Sequence, residues 1–307
     1  MKRLHQILTV SILFSSLQAA PLQPSRISEN ARWFLHLDVD ALRKTAIGSE
    51  IIKKANMELA RTLEGKGAKL DFSTDKLHSI TAYGLTYAGG SEPEGVLLLD
   101  TTANVINDFK TVASTMAPNG LVPFDKVPNS VHETYLLADD LYVSKVSDSL
   151  YLVGKSNDRI KDAHQVLGGG SKSLATGNSF LTQLGTPGES FFFMAAGKAF
   201  KESPDKAPHA AILKNAEAAR LVVTEHGDQT ALTLSIAAES SEVLKQMQEA
   251  IQGIVALVTL TQSENKELVS LVQKLKISTQ DKLITLNVQV PTTEILKKMN
   301  IQAGAGK

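Results

Sequence analysis

No cysteine occurs anywhere in the 307 residues. That excludes a disulfide framework, a thiolate-ligated metal and a lipid anchor carried on cysteine. Aromatic residues make up only 5%, too few for the stacking platforms that hold single-stranded nucleic acid. Net charge is missing too, because 32 basic and 32 acidic residues cancel. No Lys/Arg cluster breaks that balance locally, so no field draws the chain to nucleic acid or to anionic lipid. Past the first twenty residues no run of 18 apolar residues occurs, so no transmembrane segment is expected there.

What is present starts at the N-terminus. Lys2 and Arg3 form a basic start, and Ile7, Leu8, Val10, Ile12, Leu13 and Phe14 form a short apolar run. Small and polar residues follow over 15–20. This is the layout of a secretory signal peptide over residues 1–19, with cleavage after Ala19. Pro21 disfavours a cut one residue later, since proline is poorly accepted just after a cleaved bond. Losing Lys2 and Arg3 from 32 basic and 32 acidic residues leaves the mature chain at −2. The expectation is an exported protein, periplasmic or extracellular, whose 43% apolar content suffices for an ordinary core.

Past the leader the chain reads as two similar halves. Residues 33–42 (W-F-L-H-L-D-V-D-A-L) start as a buried strand and run into a helix, and residues 191–200 (F-F-F-M-A-A-G-K-A-F) have the same shape. Strands at 79–85 and 96–100 have counterparts at 219–224 and 231–235. An amphipathic helix follows each pair: 104–114, with Val105, Ile106, Phe109 and Val112 on one stripe, and 241–260, with Val243, Leu244, Met247, Ile251, Ile254, Val255 and Val258. Asn104 and Ser240/Ser241 are the N-caps this predicts. Hairpins at 142–153 and 276–290 and short capped helices, one beginning at Asn157 and one following Pro291, close the halves. The predicted class is α+β: two β-α-β-β-α-β-β-α halves, 20–167 and 179–307, with mainly antiparallel sheets and helices on one face. Residues 168–178 (G-G-G-S-K-S-L-A-T-G-N) read as a linker or loop between them.

Reactive chemistry is sparse. His36, Asp38 and Asp40 alternate, which on a strand puts them on one face. Imidazole with two carboxylates is a possible metal or general-base site. The competing structural reading makes Asp40 the N-cap of the following helix and leaves His36 on a wet face. The remaining histidines show no metal-ligand spacing; His164 belongs at the edge of a packed helix stripe, and His226 lies in a hairpin turn. No G-x-S-x-G elbow occurs. Ser203-Pro204-Asp205-Lys206 matches S-x-x-K only in a proline-bound loop, and 168–173 lacks the Gly-Lys-Ser order of a phosphate loop. No cofactor is called for. Residues 250–260 (A-I-Q-G-I-V-A-L-V-T-L) are apolar almost all round. Such a helix is usually buried between layers; otherwise it packs on a partner or lines an apolar pocket, with Gly253 allowing close approach.

The run 31–42, followed by Gly48-Ser49-Glu50-Ile51, resembles the opening of exported bacterial proteins of unknown function. Residues 283–290, followed by Pro291-Thr292-Thr293-Glu294-Ile295-Leu296, resemble the way such proteins close. The resemblance implies export and an α+β fold and brings no catalytic residues. The sequence therefore favours a non-enzymatic binding or structural protein of the bacterial envelope, with a protein or apolar small molecule as partner. One alternative is a carrier of an apolar ligand in a pocket beneath the 241–260 helix. The other is a metal-dependent or general-base hydrolase built on His36, Asp38 and Asp40.

Overall fold

The computed structural model describes residues 20–64, 69–87, 95–116, 124–137, 140–177, 179–187, 190–202, 213–262 and 264–304. The expected signal peptide and the Ser203–Lys206 motif lie outside the described residues. In chain order the first half runs β1 Trp33–Asp38, α1 Val39–Arg43, α2 Ala46–Leu63, β2 Leu77–Gly84, β3 Gly95–Thr101, α3 Val105–Met116, β4 Phe124–Lys126, β5 Thr134–Leu137, β6 Leu141–Lys145, β7 Leu150–Gly154 and α4 Asn157–Leu167. The second runs β8 Phe193–Lys198, β9 Ala216–His226, β10 Gln229–Ala238, α5 Ser241–Thr261, α6 Lys266–Gln273, β11 Lys276–Gln280, β12 Leu283–Pro291 and α7 Thr292–Gly304.

All twelve strands join one antiparallel sheet, in the order β11-β12-β10-β9-β8-β1-β2-β3-β7-β6-β5-β4. The fold is α+β. The halves meet where β1 pairs with β8, Phe34 standing opposite Ala196 and His36 opposite Met194. Outward from that seam, β1, β2, β3, β7 and β6 run one way in the order that β8, β9, β10, β12 and β11 run the other. The β4–β5 hairpin beyond β6 has no equivalent beyond β11 among the described residues, and the sequence reading did not anticipate it.

Helices cover both faces of the sheet, not one. One face carries Phe34, Tyr83, Val96, Leu98, Leu152, Met194 and Val222 against Ile160 and Ala163 of α4, Ile27, and Phe180 and Leu184 of a 3₁₀ turn. The other carries Leu97, Leu99, Tyr151 and Val153 against Val105, Ile106 and Phe109 of α3. It also carries Ala219, Ile236 and Ile284 against Leu244, Met247 and Ile251 of α5. Neighbours such as Leu98 and Leu99, or Ile236 and Ala237, serve different clusters because successive side chains on a strand point oppositely. Strands with apolar residues on both sides can be roofed twice.

Local signals set the element ends. The helical segment after β1 breaks at Lys44-Thr45. Thr45 is extended, and its Oγ1 accepts the Gly48 N–H at 2.8 Å, capping α2. A Cβ at Gly48 would lie 1.8 Å from the Leu42 carbonyl oxygen, so this corner needs glycine. Ser240 and Asn104 cap as expected, and α4 begins at Asn157 as expected, capped by Ser156. Gly227, at φ +60°, turns β9 into β10. Residues 168–177, read as a flexible joint, hydrogen bond along the N-terminal arm: Leu174 N–H to the Ile27 carbonyl at 2.8 Å, Glu29 N–H to the Lys172 carbonyl at 3.2 Å.

The two-face assignment gives a direct test at adjacent positions. Phe34 is fully buried, its ring 6.2 Å from that of Phe180, while Leu35 is 43% exposed on the opposite side. Phe34→Ala is expected to cost about 3–5 kcal/mol in urea unfolding, and Leu35→Ala less than about 1 kcal/mol. Equal losses would contradict the assignment.

Candidate functional site

Of the three residues suspected from sequence, His36 and Asp38 lie on β1 and Asp40 in α1, and each is bonded within the fold. His36 is 1% exposed rather than wet. Its Nδ1 lies 2.8 Å from Thr81 Oγ1 on β2, and its ring meets Phe191 edge-on. Burial holds its pKa down to about 4, with smaller upward pulls from the Ala20 main chain and Asp100. Nε2 is buried without a hydrogen-bond partner among the described residues, although the Ala20 backbone approaches the ring.

Asp38, not Asp40, is the helix cap. Its backbone is still extended (φ −81°, ψ 98°), and its Oδ1 accepts the Ala41 N–H at 2.7 Å. Burial raises its carboxyl above the ordinary range, opposed by N–H groups of Ala41 and Ala20. Asp40 is already inside α1, so strand alternation no longer applies to it. One carboxylate oxygen takes Arg43 Nη1 at 2.5 Å and the other His78 Nδ1 at 2.9 Å. Arg43 Nη2 in turn donates to the Thr74 and Leu77 carbonyls, tying α1 to β2. Among the described residues no three His, Cys, Asp or Glu side chains are grouped to hold a metal ion.

A second polar cluster escaped the sequence reading. Ser144 Oγ on β6 lies 2.8 Å from His164 Nε2 on α4 and 2.8 Å from Thr134 Oγ1 on β5. The His132 ring stacks on His164 at 3.6 Å between centroids. Burial, and then His132, push the His164 pKa down to about 4. No local motif links these positions; only the β5–β6 hairpin and the crossing of α4 bring them together. Ser144 is fully buried, so the pair braces the helix and offers a substrate no access.

The cleft of about 390 Å³ bounded by Tyr83, Gly95, Arg159, Asp162 and Lys172 is not lined by His36, Asp38 or Asp40. The space beneath α5 is filled by Leu244, Met247 and Ile251 from the helix and by Ile236 and Ile284 from the sheet.

Helix α5 departs most from expectation. Its first half is buried as described, but the 250–260 segment is not enclosed between layers. Ile254 is 48% exposed, Leu257 59% and Leu260 78%. A 21-residue helix is roughly 30 Å long, and Val255, partly buried, still packs on the cluster over Ile236 and Ile284. Gly253 has open space where a Cβ would go, so no other described element approaches it there. Helix α6, which has no fully buried residue, follows and adds Leu271, 40% exposed. No described helix is long and apolar enough to cross a membrane.

The buried imidazoles set a pH dependence. Both are neutral in the folded protein down to about pH 4 but take a proton near 6.5 once unfolded. Between those values the unfolded chain binds more protons, so their contribution is complete above pH 6.5 and is lost as pH falls toward 4. The urea midpoint is expected to drop between pH 7 and pH 5 by more in the wild type than in His36→Gln/His164→Gln. Using that difference cancels the opposite effect of Asp38, and parallel profiles would refute it.

No known protein family's sequence pattern matches the chain, and no curated protein matches it. Among solved structures it is similar to crystal form I of TP0453, with 12% identity, a TM-score of 0.46, and coverage of 90% of this chain and 96% of that one. Crystal form IV of TP0453 gives 10% identity, a TM-score of 0.46, and coverage of 92% and 97%.

Proposed function

We propose that this is an exported, non-enzymatic binding protein of the bacterial envelope that engages its partner through the α5–α6 hairpin. One observation carries the reading: Ile254, Leu257 and Leu260 form an exposed stripe on a segment with no charged residue from Ala250 to Thr261. Side chains at such spacing lie along one side of a helix. Contiguous exposed apolar surface of this kind marks a contact site, because leaving it in water forfeits roughly 25 cal/mol per Å². The partner is a protein that presents an apolar face to this stripe. The polar residues at the end of β1 support the same reading, each being bound into the fold. The shared connectivity of the halves fits descent from one duplicated unit, each half contributing three strands, a helical excursion and a returning hairpin.

The test is a paired variant on a folded background. Leu257→Lys/Leu260→Lys is expected to leave folding stability within about 0.5 kcal/mol, since both side chains are exposed. It is expected to abolish crosslinking of the purified protein to its partner in the envelope fraction. Crosslinked masses identify the captured species as protein, lipid or a second copy. A wild-type protein that captures no protein, or a variant that captures the same one equally well, sinks the reading.

A further inference from the structure

We propose that the partner of the α5 stripe is a second copy of this chain, whose central sheet face holds an apolar trough that takes Leu257 and Leu260. The inference rests on the α5 reading above and names its occupant.

The trough follows from strand register. Directly paired residues of neighbouring strands point to the same side of the sheet. Leu97 of β3 stands opposite Ala82 of β2, and Ala82 also stands opposite Leu35 of β1. Leu35 in turn stands opposite Ala195 of β8, and Ala195 opposite Leu221 of β9. One apolar row therefore crosses the middle of the sheet. At one end Leu97 packs under α3. At the other Leu221 stands opposite Leu234, which packs in the α5 cluster. Between the two helices the row is open. Leu35 is 43% exposed, and Ala82, Ala195 and Leu221 are only half-buried. Four strand spacings separate β3 from β9, roughly 19 Å, and a helix with its side chains is about 10–12 Å across. The gap has room for one more helix.

At Ala82 the floor deepens into a hollow of about 450 Å³ over Leu97, Leu141 and Val153. A dry cavity of about 150 Å³ takes a benzene ring, so this hollow is large enough for the Leu257 and Leu260 side chains together.

The chemistry of both surfaces selects the occupant. The row holds no charged residue, and none occurs from Ala250 to Thr261, so seating one on the other takes no charge out of water. Among the described residues lining the hollow the cation is Lys155, which pairs with Asp140 at 3.4 Å. No open charge there awaits a lipid headgroup. The helix end and the trough also lie on the same side of the sheet. Two copies facing each other across a two-fold axis satisfy both at once, each lending its helix end and receiving the other's. That is the self-complementary closure of a symmetric dimer. The contact is made twice, which doubles the apolar area removed from water. With 32 basic and 32 acidic residues, the copies carry little net charge to repel each other.

Sedimentation equilibrium of the purified protein comes first. The wild type should pass from monomer to dimer between about 1 and 100 μM. Leu257→Lys/Leu260→Lys and Leu35→Lys should each weaken the dimer at least about thirtyfold, as losing a buried anchor does, with urea midpoints showing that both variants stay folded. The natural absence of cysteine then allows a direct trap. Leu257→Cys and Leu35→Cys chains, one of them isotope-labelled, are mixed and oxidised with copper phenanthroline. They should form a mixed disulfide faster than Leu257→Cys with Val131→Cys, a control at a 94% exposed site, because the bond needs Cα atoms within about 7 Å. A wild type still monomeric at about 100 μM, a dimer that Leu35→Lys leaves intact, or a trap no faster than the control overturns the proposal. So does a lipid mass retained by the monomer in native mass spectra. If the stripe then still crosslinks a different envelope protein, the α5 reading stands without this inference; if it crosslinks nothing, both fall.

Discussion

Strand β1 is paired along both edges, and the rest of the molecule is arranged around that double pairing. On one side it meets β2 over its whole length, from Trp33–Gly84 to Asp38–Ser79; on the other it meets β8. Take β1 away and two separate sheets remain, each with a long unsatisfied edge open to association with other chains. Its inward residues decide what can cover the centre. Phe34 fills the core beneath α4 and the 3₁₀ turn, while His36 and Asp38, farther along the same side, put polar groups where the chain must leave the sheet and start α1.

Those polar groups explain why the strand ends as it does. A histidine and an aspartate this deeply buried must be satisfied locally. Thr81 serves one nitrogen of the imidazole, and the Ala41 N–H serves the carboxylate. Asp40, Arg43 and His78 continue the pattern at the next turn. The same residue types that suggest catalysis in a linear reading are here the means by which β1, α1 and β2 are locked together.

Coverage of the two faces is uneven, and the unevenness leaves the end of α5 exposed. Near its start the helix rests on Ile236 and Ile284; toward its end Ile254, Leu257 and Leu260 meet solvent. Helix α6 does not close over them. It is held instead at its own N-terminal end, where Glu267 pairs with Lys298 of α7 at 2.6 Å.

Strand alternation, helical periodicity and short polar caps were legible in the linear chain because each depends on neighbours a few residues away. They place most strands, the Asn104 and Ser240 caps and the Gly227 turn. The cap at Asp38 was misassigned to Asp40 because the strand ends two residues earlier than alternation alone implies. The Ser144–His164 pair, the roofing of both faces and the exposure of Leu257 and Leu260 were illegible for one physical reason. Each depends on where distant elements come to rest, and an apolar side chain carries no mark of whether a strand will lie beneath it. By itself the sequence determined an α+β chain with antiparallel hairpins and no cysteine chemistry. Only the tertiary structure decided that the two halves share one sheet, that the suspected site residues are braces, and that the apolar end of α5 faces outward, because burial is settled by packing and not by composition.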